Sequence, residues 1–344
     1  MQVHRVWTSR FGRQNLVGRS FDYLSFYLTA FISLLRLADK NSIVIAKTDP
    51  PLISVIAGLA ARLKSAVLIN WIQDLFPEVA AALGVKLARG PLYGLLRGLR
   101  NRSLKQAQTN VVIGELMAKK LQQEGIPETQ ITVIHNWADG DQLRPIPHDQ
   151  NPLRREWGLE GKFVVGYSGN LGRSHEFDTI IAAADALRDH REIVFLVIGG
   201  GAGLQNVVDE TTKRGLENVV FKPYQPREKL SESLSVSDVH LISLSPQLEG
   251  LIVPSKIYGI MAVGRPILFI GSDDGQFSTM FSQTKFGYVF SQGDAQALSK
   301  AILDLVDYPD QRLLLGNTAL SEFRSKYSLS MALRNWDACL SAKH

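Results

Sequence analysis

The sequence is short of the residues that build the simplest sites. One of its 344 residues is cysteine, Cys339, so no disulfide can close within the chain and no cysteine-based metal centre can form. A lone thiol is consistent with a reducing compartment. The seven histidines show no H-E-x-x-H or related spacing, and no metal site is expected. There is no short-period repeat and no low-complexity segment, and with 45% hydrophobic and 21% charged residues the chain is not broadly disordered. The uncharged run Tyr23 to Leu35 is shorter than the about 20 residues a bilayer span requires, and Ser25, Thr29 and Ser33 interrupt it. It reads as a buried or interfacial helix. His4, Arg5, Arg10, Arg13 and Arg19 precede it with no clear small-residue cleavage site, so no secretory signal is expected. The formal net charge of +5 suits anionic substrates, anionic lipid or nucleic acid, and is too small to choose among them.

What is present is alternation. Short β-branched runs at 42–46, 66–71, 110–113 and 131–134 alternate with helical patterns at 20–37, 52–63, 90–107 and 115–124. A polar, proline-containing stretch from Ala138 to Pro152 has a linker's composition. The alternation then restarts, with strands at 163–167, 193–198, 219–221, 239–244, 266–270 and 288–290, and closes on helices near 294–307, 309–324 and 329–341. Strands separated by helices make βαβ units and parallel sheets. The expected architecture is α/β, two Rossmann-like doubly wound domains at 1–150 and 151–328, with a final helix at 329–344 packing back on the first domain.

The most informative stretch is E-G-L-I-V-P-S-K-I-Y-G-I-M-A-V-G-R-P at 249–266, which follows a strand-like run. Pro254 suits a first helical turn, and the free N–H groups of a helix start attract anions. Lys256 adds a full positive charge, while Glu249 can accept hydrogen bonds from hydroxyl groups. Together they suit a diphosphate at one end of a ligand and a polyol at the other. A buried αβ corner with a surface acid and lysine accounts for the segment equally well. The strand at 163–167 runs into Gly169, Asn170, Leu171, Gly172 and Arg173, where glycines allow close approach and the arginine fork can hold phosphate oxygens. A tight turn with a solvent-facing arginine fits as well, and His175 reads as an ordinary loop or helix-start residue. The pattern is not G-x-G-x-x-G. The run Gly199 to Gly203, including Gly200, again opens a helix, but Glu217 lies ahead of a strand rather than at its end, so a ribose-binding acid for NAD is not supported. Tyr224, followed by Gln225, could lie beside a base or simply cover the core.

With these segments in hand, the chain resembles the retaining, GT-B-fold glycosyltransferases of family 4, nearest the branch that builds bacterial capsule, O-antigen and colanic-acid polysaccharides. I-Q-D-L-F-P-E (72–78), I-H-N-W-A-D (134–139), Y-S-G-N-L-G (167–172), P-Y-Q-P-R-E-K-L (223–230) and the 249–266 stretch carry the resemblance, in family order, over nearly the whole chain. It implies a sugar nucleotide held mainly by the second domain. Arg173 and Lys256 would neutralise the diphosphate, and Glu249 would hold sugar hydroxyls. Gly250, Leu251 and Ile252 would offer backbone N–H groups, with Ser255 beside them, and Tyr224 would lie next to the base. No cofactor or metal is implied, since cationic side chains and helix starts stabilise the leaving group. Two departures stand out. Gly259 occupies the place of a second, ribose-holding glutamate, and the strand, glycine loop and helix that usually open the first domain have no counterpart, so that domain is expected to be shortened.

On the acceptor side, Asp74 could take the proton of an acceptor hydroxyl, with Thr48, Asp49 and Glu78 nearby at strand ends, or the acids could simply cap helices. Arg89, Arg97, Arg100, Arg102 and Lys105, interleaved with leucines, suit either an anionic membrane surface or an ordinary half-buried helix. The functional expectation is a retaining, metal-independent hexosyl transferase. It would act from a nucleotide sugar onto a lipid-linked saccharide, in the cytoplasm at the inner membrane face. The competing readings are a nucleotide-sugar epimerase of the same fold and a truncated, non-catalytic homologue that binds a nucleotide or a partner transferase. Nucleic-acid binding is disfavoured because the basic residues lack an aromatic stacking platform.

Overall fold

The computed structural model describes residues 2–12, 16–85 and 90–341. Arg13, Arg89 and the last three residues of the expected 329–344 helix lie outside these. The chain forms two compact units, Met1–Ile134 with Gly250–Val253, and His135–Glu249 with Pro254–His344.

In the first unit α1 (Leu16–Leu37) leads to β1 (Ile43–Lys47), α2 (Ile53–Lys64), β2 (Val67–Ile72), α3 (Glu78–Ala82), α4 (Gly90–Gln106), β3 (Thr109–Val112), α5 (Glu115–Gln123) and β4 (Ile131–Val133). The four strands are parallel and lie in chain order, β1-β2-β3-β4. Small residues on α2 set its distance from the sheet: Ala57, Ala60 and Ala61 are buried, and a Cβ added at Gly58 would stand 3.3 Å from Leu68.

The second unit runs α6 (Pro152–Glu156), β5 (Phe163–Asn170), α7 (Asp178–Ala186), β6 (Ile193–Gly200), α8 (Leu204–Lys213), β7 (Val219–Lys222), α9 (Leu230–Ser235), β8 (Val239–Ser243), α10 (Lys256–Ala262), β9 (Ile267–Ile270), α11 (Gln276–Gln283), β10 (Gly287–Phe290), α12 (Ala295–Asp307), α13 (Pro309–Glu322) and α14 (Leu329–Ser341). Its parallel strands lie in the order β10-β9-β8-β5-β6-β7. Side chains alternate across β5. Val164 joins Leu153, Leu196 and Val236 on one face, while Val165 and Tyr167 join Ile180, Phe195 and Ile302 on the other. Both faces are covered, which is why β5, β6 and β8 read as nearly unbroken apolar runs.

The stretch read as a linker is built into the second unit. Ala138 N donates to Tyr327 O at 3.2 Å and Ala138 O accepts from Leu329 N at 3.0 Å. Arg144 N and Ile146 N donate to the hydroxyls of Ser231 and Ser235 on α9, at 3.2 and 3.1 Å. The division between units therefore falls at Ile134 and His135 rather than at residue 150, because this polar backbone finds its partners on one side only. α14 is counted with the second unit, and Gly250–Val253 with the first.

Candidate functional site

Strand order in the second sheet reverses between β5 and β8, and open α/β sheets bind ligands at the carboxyl ends of strands at such a reversal. The loops leaving these two strands are those singled out in the sequence. They are tied directly: Ser245 N donates to Ser174 O at 3.0 Å, and Glu176 N to the Ser243 hydroxyl at 3.2 Å. His175 Nδ1 lies 2.6 Å from Ser243 O. A carbonyl only accepts, so Nδ1 carries the proton and Nε2 keeps its lone pair.

Lys256 opens α10 and turns back onto the end of β5. Its Nζ sits 3.9 Å from the centroid of the Tyr167 ring, and a Cβ added at Gly169 would stand 3.3 Å from that nitrogen. The Tyr167 hydroxyl donates to Asn170 O at 3.0 Å, which fixes the ring as a floor for the ammonium. Nζ is buried and has no hydrogen-bond partner among the described residues. Burial pulls the pKa of Lys256 down to about 7. Burial, and then the charge of Lys256, pull that of His175 down to about 4. An unpaired ammonium held out of water costs several kcal/mol. This site offsets the cost either by releasing the proton or by receiving an anion.

The glycines pack the loops against one another. A Cβ at Gly199 would stand 2.0 Å from Gly169 O, and one at Gly201 2.2 Å from Asn170 Oδ1, so the second glycine run is required by the first loop. Leu171 N donates to Gly200 O and Gly203 N to Leu171 O, each at 2.8 Å. Tyr224 stands over this floor, 57% exposed, its hydroxyl donating to Gly200 O at 3.2 Å. The Gln225 amide donates to Pro223 O at 3.0 Å and is thus held locally.

Arg173 is exposed and, with Gly172, His175, Glu176, Gly203 and Asn206, lines a cavity of about 510 Å³; neither Lys256 nor Glu249 lines it. The lysine and the arginine expected to act as a pair are held differently. Lys256 is buried beside Gly169, whereas Arg173 occupies an open rim. α10 is only seven residues long, with exposed Ser255 at its start making no side-chain cap, so the lysine rather than the helix start is the main positive group there. The Glu249 carboxylate accepts from Gln276 N at 3.3 Å, at the first turn of α11, where negative charge is favourable.

The first unit receives the remaining candidates. Gly250, Leu251 and Ile252 belong to it and not, as expected, to the second. Gly250, at φ 70°, rests against α5, where a Cβ would stand 2.7 Å from Lys120, and Leu251 O accepts from Leu75 N at 2.9 Å. Thr48 Oγ1 accepts from Gln73 N at 3.0 Å, joining the ends of β1 and β2. Asp49 and Asp74 there are both exposed. Desolvation, and then the Asp49 carboxylate, raise the pKa of Asp74. Glu78 is committed elsewhere. It accepts from Arg100 Nη2 at 2.6 Å in a cluster where Arg97 also binds Glu124 through two bonds of 2.8 and 2.6 Å. Arg100 is 6% exposed, so the basic face expected of α4 loses two of its cations to this cluster.

Two residues escaped the sequence reading. His175 joins the site through one backbone bond that no motif announces. Gln276 is 5% exposed, and its side-chain nitrogen and oxygen are buried with no hydrogen-bond partner among the described residues. Its place beside Glu249 depends on how β9 and α11 return, 27 residues on. Among the described residues no group of three or more His, Cys, Asp or Glu is arranged to hold a metal ion.

The chain is 29% identical to the probable glycosyltransferase WbjE of Pseudomonas aeruginosa, over 90% of its own length and 76% of that protein's. It is 30% identical to the putative colanic acid biosynthesis glycosyl transferase WcaI of Escherichia coli, over 60% of its own length and about half, 51%, of WcaI. The crystal structure of Anabaena HepE in complex with UDP superposes with a TM-score of 0.74 at 16% identity, covering 94% of this chain and 84% of that one, a likeness of fold. The family model for glycosyl transferases group 1 matches residues 149–321, half of the chain and the unit that holds Lys256, Arg173 and Glu249. A two-unit α/β fold that matches that family over residues 149–321, half of the chain, places this chain among the group 1 glycosyl transferases: it is a glycosyltransferase of the GT-B fold.

Proposed function

We propose that the protein transfers a sugar from a nucleoside-diphosphate sugar to a saccharide acceptor with retention of configuration. The acceptor is lipid-linked, the product is a cell-surface polysaccharide, and the work is done at the inner membrane face. The observation that carries this reading is the buried, unpartnered Nζ of Lys256 beside Gly169, a cation in want of an anion. The names of WbjE and WcaI, and the UDP bound by HepE, support the donor class and the polysaccharide setting.

In this reading Lys256 faces the leaving diphosphate and Arg173 supplies a second charge from the rim. The bond between the anomeric carbon and the phosphate oxygen breaks, and its electron pair leaves with the diphosphate. The acceptor oxygen attacks from the face the diphosphate vacates, and its proton passes to Asp74. Glu249 and the Gln276 amide receive sugar hydroxyls, Tyr224 lies beside the base, and Thr48 and Asp49 help seat the acceptor. The positive charge comes from side chains, so neither a cofactor nor a metal is needed.

The test is turnover with a panel of nucleotide sugars and a bacterial lipid extract, with and without EDTA. Release of nucleoside diphosphate, a glycosylated lipid and an anomeric configuration matching the donor by NMR are expected in both conditions. Donor epimerised without transfer, or nucleotide bound without turnover, would overturn the reading. A product of inverted configuration would remove its stereochemical half, and loss of turnover in EDTA its metal-free half.

A further inference from the structure

In the reading above the diphosphate meets Lys256 and the base lies beside Tyr224, so the ribose that joins them crosses whatever lies between. Both side chains stand over the ends of neighbouring strands. A Cβ added at Gly169, near the end of β5, would stand 3.3 Å from Lys256 Nζ, and one at Gly200, the last residue of β6, would stand 3.3 Å from the Tyr224 ring. The two strands are parallel, with Gly169 opposite Gly199 and Asn170 opposite Gly200. A ribose held at both ends therefore lies over the floor made by residues 169–172 and 199–203.

The acceptors of that floor are already used within it. Gly200 O accepts twice, from Leu171 N at 2.8 Å and from the Tyr224 hydroxyl at 3.2 Å, which occupies both its lone pairs. Leu171 O accepts from Gly203 N at 2.8 Å, and Asn170 O from the Tyr167 hydroxyl at 3.0 Å. The Asn170 side chain is wedged between the two loops: a Cβ at Gly201 would stand 2.2 Å from its Oδ1, and one at Gly172 2.9 Å from its Nδ2.

The acids around the floor are committed or solvated. On the loops leaving β5, β6 and β7, residues 171–177, 201–203 and 223–229, they are Glu176 and Glu228. Glu176 turns to α7, where it accepts from Thr179 N at 2.7 Å. Glu228 is exposed, between Arg227 and Lys229, so water can replace any hydroxyl it might lose. α10, which brings Lys256, contains no acid, and a Cβ at its Gly259 would stand 3.3 Å from Leu234 on α9. Glu249 accepts from the first turn of α11. Nucleotide folds that specify ribose set an acid near the strand ends to accept from the 2′-hydroxyl. Such a site rejects the analogue lacking that hydroxyl, because a buried acceptor is left unpaired. The group left without a partner beside this floor is instead a donor, Lys256 Nζ, which suits phosphate.

We propose that the nucleotide site is indifferent to the 2′-hydroxyl of the ribose and takes 2′-deoxynucleoside diphosphates as readily as ribonucleoside diphosphates, which admits deoxynucleotide sugars as donors. The proposal rests on the nucleotide-sugar reading above and names the class of nucleotide that the site accepts.

The experiment is calorimetric titration of the full chain with matched pairs, UDP and 2′-deoxy-UDP, GDP and 2′-deoxy-GDP, ADP and 2′-deoxy-ADP, at one pH and salt concentration. In every pair that binds, the two members should agree within about fivefold, where a site built on the hydroxyl would separate them by about 10⁴-fold or more. Tyr224→Ala should weaken both members of a pair by the same factor, since the ring meets the base and not the sugar. A deoxynucleotide bound more than about fivefold more weakly than its partner would overturn the proposal and leave the nucleotide-sugar reading standing. A gap that opens only in Tyr224→Ala would overturn it too, because the ring rather than the floor would then be masking the missing hydroxyl. Failure of every pair to bind would overturn the proposal and the reading beneath it together.

Discussion

The two units share an architecture, and each pairs a buried guanidinium, Arg100 with Glu78 in the first and Arg154 with Asp238 in the second; Lys256 stands apart. In the first, strands lie in chain order and the buried guanidinium of Arg100 is paired with Glu78. In the second, strand order reverses at β5 and β8, and an unpaired ammonium, Lys256, is buried where it reverses. Pairing Arg100 serves the fold, because a buried charge without a partner is costly. Lys256 is left with that cost, and in the proposed reading an arriving anion removes it. Cation count cannot distinguish the units; what each cation touches does.

The largest effect expected from this contrast is on turnover. Lys256→Met removes the buried cation and should lower kcat/KM for donor turnover by about 10³-fold, in the range found when one preorganised charge partner of a transition state is lost. Its thermal stability should hold or rise, since the side chain it replaces is an unpaired buried charge. Asp74→Asn should cost less, about 10²-fold, and should fall on kcat rather than on donor KM. If the two variants lose equally in donor affinity, the division of labour between units is wrong.

A second measurement sharpens the same contrast through pH. The pKa of Lys256 is pulled by burial from its ordinary 10.5 down to about 7. Between those values the unfolded chain holds a proton on this lysine that the folded chain has released. Stability attributable to Lys256 should therefore rise as pH is raised through that window, and Lys256→Met should flatten this part of the profile. Binding a nucleoside diphosphate favours the charged form. Titration with UDP at pH 8 should therefore take up protons, seen as a dependence of the heat on buffer ionisation enthalpy. Lys256→Met should abolish the uptake; uptake that persists in the variant would assign it to another group.

The ten strands stand where β-branched runs alternate with helical patterns, displaced by a residue or two at most ends, because period and composition carry that information locally. The motifs at 167–173 and 249–266 were also visible in sequence, as was their position after strands. Their union was not. β5 and β8 are neighbours through a strand reversal that links residues about 70 apart, and only that adjacency makes His175 a partner of Ser243. Composition misjudged the 138–152 stretch for the same reason: polar residues mark a linker when solvent is their partner, but here the partners are α9 and the chain around Tyr327. On α4 the arginines were visible while their carboxylates, Glu78 and Glu124, lay far off in sequence.

The smallest effect expected is at Tyr224, where the second unit's site is open rather than buried. The ring is exposed and held over Gly200 by a hydroxyl bond of 3.2 Å to that residue's carbonyl. Its value to a ligand would come from its face, since stacking a base on an aromatic ring is worth about 1–3 kcal/mol. Tyr224→Ala should therefore weaken UDP binding by about tenfold. Tyr224→Phe, which keeps the face and loses an exposed hydroxyl bond worth roughly 0.5 kcal/mol, should change it by no more than about twofold. Equal losses in the two variants would mean that the hydroxyl, by fixing the loop over Gly200, does the work assigned to the ring. No loss in either would make Tyr224 a cover for the glycine floor and leave the base to another part of the second unit.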